Sequence, residues 1–260
     1  MEKYVLEKAR RALSEVEKEY SVLGAVIVGS HLHGTATEES DIDLHVIYRP
    51  NTYDMLMGTS SKCGRFGAGD NDKMVPGQVD IKLIPLHKFL TGLVHGDIGY
   101  TEALFAEPLK TTLIFDELKD TSSRAATENI FKNAGSIMRA VVYRFVDKDG
   151  YWMDSTDDML VKCQEGSCKN HIDLAHIHRI LHELYGLISL GRIRYGEKFY
   201  NPKLYAKVKS GVFSADDIHL MIEEIVKIYK MIGECRDRFN FSNQYVYTSF
   251  ERIVRMAHAL

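Results

Sequence analysis

An apolar run, Val22 to Val28, ends in Gly29-Ser30, and eleven positions beyond Ser30 comes Asp41-Ile42-Asp43, at the head of a second apolar run that reaches Tyr48. Both runs are short and rich in β-branched residues, which makes them buried strands rather than helices. Side chains alternate along a strand, so Asp41 and Asp43 share one face while Ile42, Leu44, Val46 and Tyr48 share the other. Packing behind the strand then holds two carboxylates side by side. Two such anions repel unless a cation or hydrogen-bond donors satisfy them. Their hard oxygens suit Mg²⁺ or Mn²⁺.

A third carboxylate strengthens that reading. In Val79 to Leu86, a third expected strand, Val79, Ile81 and Leu83 share one face, and Asp80 and Lys82 the other. If this strand lies beside the first aspartate strand, Asp41, Asp43 and Asp80 converge. Three carboxylates can hold two metal ions about 3.5–4 Å apart, the arrangement suited to in-line phosphoryl displacement. Gly29 after a buried strand lets backbone approach a phosphate closely, and the Ser30 hydroxyl can donate to phosphate oxygens. Gly34 lets the intervening loop turn back toward the carboxylates.

The remaining chain divides near residue 120 into an α/β first half and a helical second half. Val5, Ala9, Leu13, Val16 and Tyr20 recur at spacings of four, four, three and four, one apolar stripe on an N-terminal helix. Residues 31–40 form a loop or short helix, and 51–78 a loop or hairpin excursion rich in Gly and Ser. His87 to Val94 starts a helix, Tyr100 to Phe105 is a short helical piece, and Thr112 to Phe115 is a further strand. Helices follow over 130–142, 172–190, 216–239 with Ser214 as N-cap, and 247–259. Residues 147–170 read as a long polar loop. The expected domains are 1–120, which carries the site, and 121–260, a helical bundle forming the other wall of a cleft.

Composition excludes several classes. The formal net charge of −3 argues against a nonspecific nucleic-acid coat. No apolar stretch of about 18 residues exists for a membrane span, and the charged N-terminal twenty residues lack a signal-peptide core. Four scattered cysteines fit a reduced, cytoplasmic protein. Cys163, Cys168 and His171 have loose spacing and no second pair, so free thiols fit better than zinc.

Gly29-Ser30, Gly34, Ser40-Asp41-Ile42-Asp43 and a later Asp80 together resemble the nucleotidyltransferase superfamily of the DNA polymerase β type. More narrowly, they resemble a group of predicted bacterial and phage nucleotidyltransferases. Lys88-Phe89-Leu90, Leu104-Phe105, His176 with Arg179, Glu183-Leu184 and Gly191 follow in that group's order, so the resemblance covers residues 20–195. It implies an α/β (α+β) fold: a nucleotidyltransferase-like mixed sheet with helices, followed by a C-terminal helical bundle. It implies that Gly29, Ser30 and Ser40 hold the nucleotide, that Asp41 and Asp43 bind metal, and that Asp80 binds the catalytic metal or takes the acceptor's proton. Mg²⁺ (or Mn²⁺) would be the cofactor, and an NTP, ATP foremost, the co-substrate. The acceptor stays open between an RNA 3′ end, a protein side chain and a small molecule. A non-catalytic NTP sensor or antitoxin-type module and a metal-dependent nucleotide hydrolase are the rival classes.

Other residues carry weaker signals. His45 shares the aspartate face and reads as a polar neighbour in the site wall; His31 and His33 flank the phosphate loop. Arg179, and Arg139 on the preceding helix, could reach a triphosphate or simply be surface charges. Among the histidines at 171, 176, 178 and 182, three fall near one helical face. No acidic residue or cysteine stands at metal spacing in the sequence, so a solvated face or phosphate-facing groove is the expectation. Tyr143, Tyr185 and Tyr195 read as core residues.

Overall fold

The computed structural model describes residues 2–37, 40–57, 64–66, 78–121, 129–130, 132–133, 135–136, 170–190, 193, 201–236 and 243–259. Two compact units result, one of residues 1–127 with 241–260, the other of residues 128–240. Most of the helix expected over 130–142, the loop at 147–170, and Cys63, Arg139, Tyr143, Cys163, Cys168, Gly191 and Tyr195 lie outside the described residues.

The first unit is built on a five-stranded mixed sheet. Its strands are β1 (Ser21–Val28), β2 (Ile42–Arg49), β3 (Gly64–Phe66), β4 (Val79–Pro85) and β5 (Pro108–Lys110), in the order β3-β4-β2-β1-β5. β2 and β4 run parallel; the other pairs are antiparallel. The alternation read from the sequence decides what each face does. Ile42, Leu44, Val46 and Tyr48 of β2, with Ile81 and Leu83 of β4 and Ala25 and Ile27 of β1, pack against Val5, Ala9, Leu13 and Val16 of helix α1 (Lys3–Val16). Each such fully buried aliphatic side chain contributes about 1.5–3 kcal/mol.

The opposite face changes character along its length. On β2 it reads Asp43, His45, Ile47, and on β4 Asp80, Lys82, Ile84. Ile47 and Ile84 lie under α4 (Leu86–Val94), α5 (Ile98–Phe105) and α6 (Leu113–Thr121), in a core containing Phe89, Leu93, Leu104, Phe115 and Leu118. A bulge in β1 between Val22 and Gly24 turns Leu23, Val26 and Val28 into that core. Gly24 is required there: a Cβ would meet the Phe115 ring at 2.3 Å.

Two short helices flank β2, α2 (Gly29–His33) and α3 (Thr52–Met57). The strand expected at Thr112–Phe115 is instead the start of α6. The Thr112 carbonyl accepts from the Asp116 N–H at 2.8 Å, and its hydroxyl donates to the Leu23 carbonyl at 2.6 Å. Thr112 thus begins a helical turn, and the edge pairing with β1 falls to the preceding Pro108–Lys110.

The second unit contains α7 (Asn170–Leu190), α8 (Pro202–Lys209) and α9 (Ala215–Arg236). Leu174, Ile177, Leu181 and Leu187 of α7 are buried, as are Ile218, Met221, Ile222 and Ile225 of α9, and the two helices pack together. Ser214 begins α9 as expected: its hydroxyl accepts from the Asp217 N–H, and the Asp217 carboxylate accepts from the Ser214 N–H. The final helix, α10 (Asn243–Ala259), returns to the first unit. Phe250, Ile253 and Ala257 enter the core beneath α4 and α6, and the Ala257 carbonyl accepts from Arg49 at 3.0 Å.

Candidate active site

Asp43 and Asp80 are register partners on adjacent parallel strands. Such strands lie about 4.8 Å apart, so the two carboxylates emerge side by side from one face. Across the other neighbour, Val28 pairs with Asp43, and Gly29 follows directly. Gly29 has φ +65°, in the left-handed region, and a Cβ placed on it would stand 2.0 Å from Asp43 Oδ2. Only glycine combines that backbone with that approach. The turn after β1 is thereby packed against a carboxylate of β2.

Asp41 precedes β2 on the same alternation. Its Oδ1 is buried and has no hydrogen-bond partner among the described residues. A buried carboxylate oxygen without a donor carries a desolvation cost that a bound cation would remove. This orphaned oxygen, the Asp43–Asp80 pair and the all-oxygen donor chemistry fit Mg²⁺ or Mn²⁺, which Asp41, Asp43 and Asp80 could hold. The three carboxylates are not among the groups of ligand atoms lying within 4.8 Å of one another that the described residues form. Three neighbouring anions repel, so gathering them more tightly needs a positive charge between them.

Behind the aspartates lies a polar layer that sequence reading only partly identified. His45 and Lys82 are the next register pair inward. Lys82 Nζ stands 5.1 Å from the centroid of the Tyr100 ring, and His45 meets that ring edge-on at 6.4 Å. Burial, then the Lys82 charge, push the His45 pKa down to about 4, with Glu102 pulling the other way. The imidazole is therefore neutral at physiological pH. Glu102 of α5 is itself buried, with His33 Nε2 3.5 Å from its Oε2. Glu102 and Tyr100 escaped notice because α5 puts them under the sheet through a tertiary contact. The available signal was Asp97, whose carboxylate caps α5 by accepting from the Tyr100 N–H at 3.1 Å.

The other expected residues fall as follows. Ser30 lies in the first turn of α2, where no side chain of the N-cap residue Val28 caps the opening N–H groups. Ser40 closes a local turn, its Oγ accepting from the Thr37 N–H at 2.8 Å. Arg179 belongs to the second unit. Its Nη1 lies 2.8 Å from Glu183 Oε1 and 3.0 Å from Oε2, and both side chains are largely buried. That carboxylate competes with any phosphate for the guanidinium. The histidine stretch also departs from expectation: His178 is 0% exposed, so it is no solvated face.

A mixed sheet that sets aspartates side by side, with a glycine turn packed on one of them, is an arrangement that could hold divalent cations. The family comparison narrows it: residues 6–93 match the nucleotidyltransferase domain, a stretch containing Gly29, Ser30, Ser40, Asp41, Asp43 and Asp80. Over those residues the chain matches that domain. Two solved structures are similar to it. One is a nucleotidyltransferase-like protein from Exiguobacterium sibiricum, 11% identical, covering 87% of this chain and 74% of that one, with a TM-score of 0.35. The other is a spectinomycin adenyltransferase from Enterococcus faecialis, with ATP and spectinomycin, 12% identical, covering 98% of each chain, with a TM-score of 0.36. No curated protein matches the sequence. No helix among the described residues is long and apolar enough to cross a membrane.

Proposed function

We propose that this chain moves a nucleoside monophosphate from an NTP, ATP foremost, to a hydroxyl acceptor. The acceptor oxygen forms a bond to the α-phosphorus. The bond from that phosphorus to the oxygen bridging to the β-phosphate breaks, and pyrophosphate leaves. The observation carrying this reading is the register pair Asp43–Asp80 with Gly29 packed against Asp43.

Each residue has a stated part. The Gly29-Ser30 turn approaches the triphosphate with backbone N–H groups and a hydroxyl. Asp41, Asp43 and Asp80 hold Mg²⁺ or Mn²⁺, which when bound neutralises the triphosphate and lowers the acceptor hydroxyl's pKa. Asp80 takes the acceptor's proton. Neutral His45 adds no positive charge to compete with the cation. Most of the rate enhancement comes from positioning and charge stabilisation.

The test offers each α-labelled NTP, with Mg²⁺ or Mn²⁺, to the full chain. RNA, lysate protein and hydroxylated small molecules serve as separate acceptor pools. Label in one pool supports transfer and names the acceptor class. Free labelled mononucleotide with no labelled acceptor rejects transfer in favour of hydrolysis. NTP binding without turnover rejects both in favour of a sensor.

A further inference from the structure

We propose that His178, His182 and Glu224 form a zinc site joining helices α7 and α9 of the second unit. Its residues are not those of the aspartate site, and the inference does not rest on the proposed reaction.

The geometry starts from helical periodicity. Residues four apart on a helix face the same way one turn apart, with Cβ atoms about 5–6 Å from each other. His178 and His182 obey this, and their ring centroids stand 4.7 Å apart at an interplanar angle of 70°. Glu224 arrives from α9, its Oε2 2.5 Å from His178 Nε2. One ligand atom from each of the three lies within 4.8 Å of the others. Ligands of a tetrahedral zinc ion, each about 2.0–2.2 Å from the metal, are about 3.3 Å from one another. The 2.5 Å between His178 Nε2 and Glu224 Oε2 would have to widen to that spacing on binding.

Two features favour a metal over a plain histidine–carboxylate hydrogen bond. A hydrogen bond to Glu224 needs one imidazole, yet two are turned to the same point in a largely buried place. Two imidazoles and one carboxylate also form a mixed nitrogen and oxygen donor set that zinc prefers over Mg²⁺. His178 is fully buried, while the Glu224 side chain is 31% exposed, leaving an approach for the ion and for water as fourth ligand. No spacing along the chain points to Glu224 as a partner, because it stands on another helix.

The test titrates Zn²⁺ into chelator-treated full-length chain carrying Asp41→Asn, which weakens the other candidate site. The expected result is one equivalent of tightly bound zinc and a raised melting temperature. Co²⁺ in its place should give the intense visible absorption of a four-coordinate ion. Glu224→Gln keeps the size of a part-exposed side chain, and it should weaken zinc at least tenfold with unchanged helicity. His182→Gln should do the same. Absence of a stoichiometric site in the Asp41→Asn chain overturns the proposal. Equal affinity in the Glu224→Gln and parent chains overturns it as well.

Discussion

The two clusters of candidate ligands are assembled by different rules. In the first unit, carboxylates gather because β2 and β4 are parallel neighbours in register and every second side chain faces the same way. In the second, two imidazoles gather by one helical turn and a carboxylate joins from a packed partner helix. The sheet cluster is all oxygen and ends a strand face that becomes apolar farther in. The helix cluster is mixed in donors and sits amid buried leucines and isoleucines. Period two makes a hard, multiply anionic site, and period 3.6 a softer, compact one.

The largest effect should break the first cluster and spare the second. Asp43→Asn removes a carboxylate expected to support several kcal/mol of charge stabilisation, so transfer should fall about a thousandfold or more. Zinc affinity of the helical unit should not change. Steady-state transfer assays and a zinc titration on the same preparation check both halves, and a loss of both would merge the two clusters.

Next comes packing beneath the sheet. Phe250→Ala should destabilise the first unit by about 3 kcal/mol, because its ring fills the core under α4 and α6. Denaturant unfolding followed by a probe on α1 reads this. Gly29→Ala comes third, with about 1–3 kcal/mol of strain from the left-handed backbone, and its new methyl strikes Asp43. Weaker NTP binding in equilibrium titrations, with a modest fall in melting temperature, is the expected pattern.

The smallest effect concerns the start of α9, which carries Glu224. Ser214→Ala should cost about 1 kcal/mol. Hydrogen bonds from Lys207 and from the Ser214 N–H and hydroxyl hold the Asp217 pKa down to about 2. A depressed carboxylate stabilises the fold above its unfolded value near 3.8, and that stability is lost as pH falls through about 2. The contribution is small because the pair lies near solvent. Acid unfolding of the parent and the Ser214→Ala chain should therefore differ most above pH 4.

Much of the first unit was legible because its signals are local. The stripe of α1, the faces of β2 and β4, and the Gly29-Ser30 turn each depend on near neighbours in sequence. Thr112–Phe115 misled because Thr and Ile suit strands, and the cap that Thr112 makes is settled by the nearby Leu23 carbonyl. Glu102, Lys82 and Tyr100 meet beside His45 only through tertiary packing, and no spacing announces that. Glu224 stayed hidden for the same reason, 46 positions from His178.

The return of α10 to the first unit has a consequence for how the protein comes into being. A ribosome delivers the sheet early, yet the patch that Phe250, Ile253 and Ala257 cover stays bare until residues 250–257 have emerged. For all that interval the nascent sheet exposes an apolar surface that a chaperone can hold. A premature stop codon ahead of Phe250 would thus uncover a sheet whose aspartate strand is encoded some two hundred codons upstream.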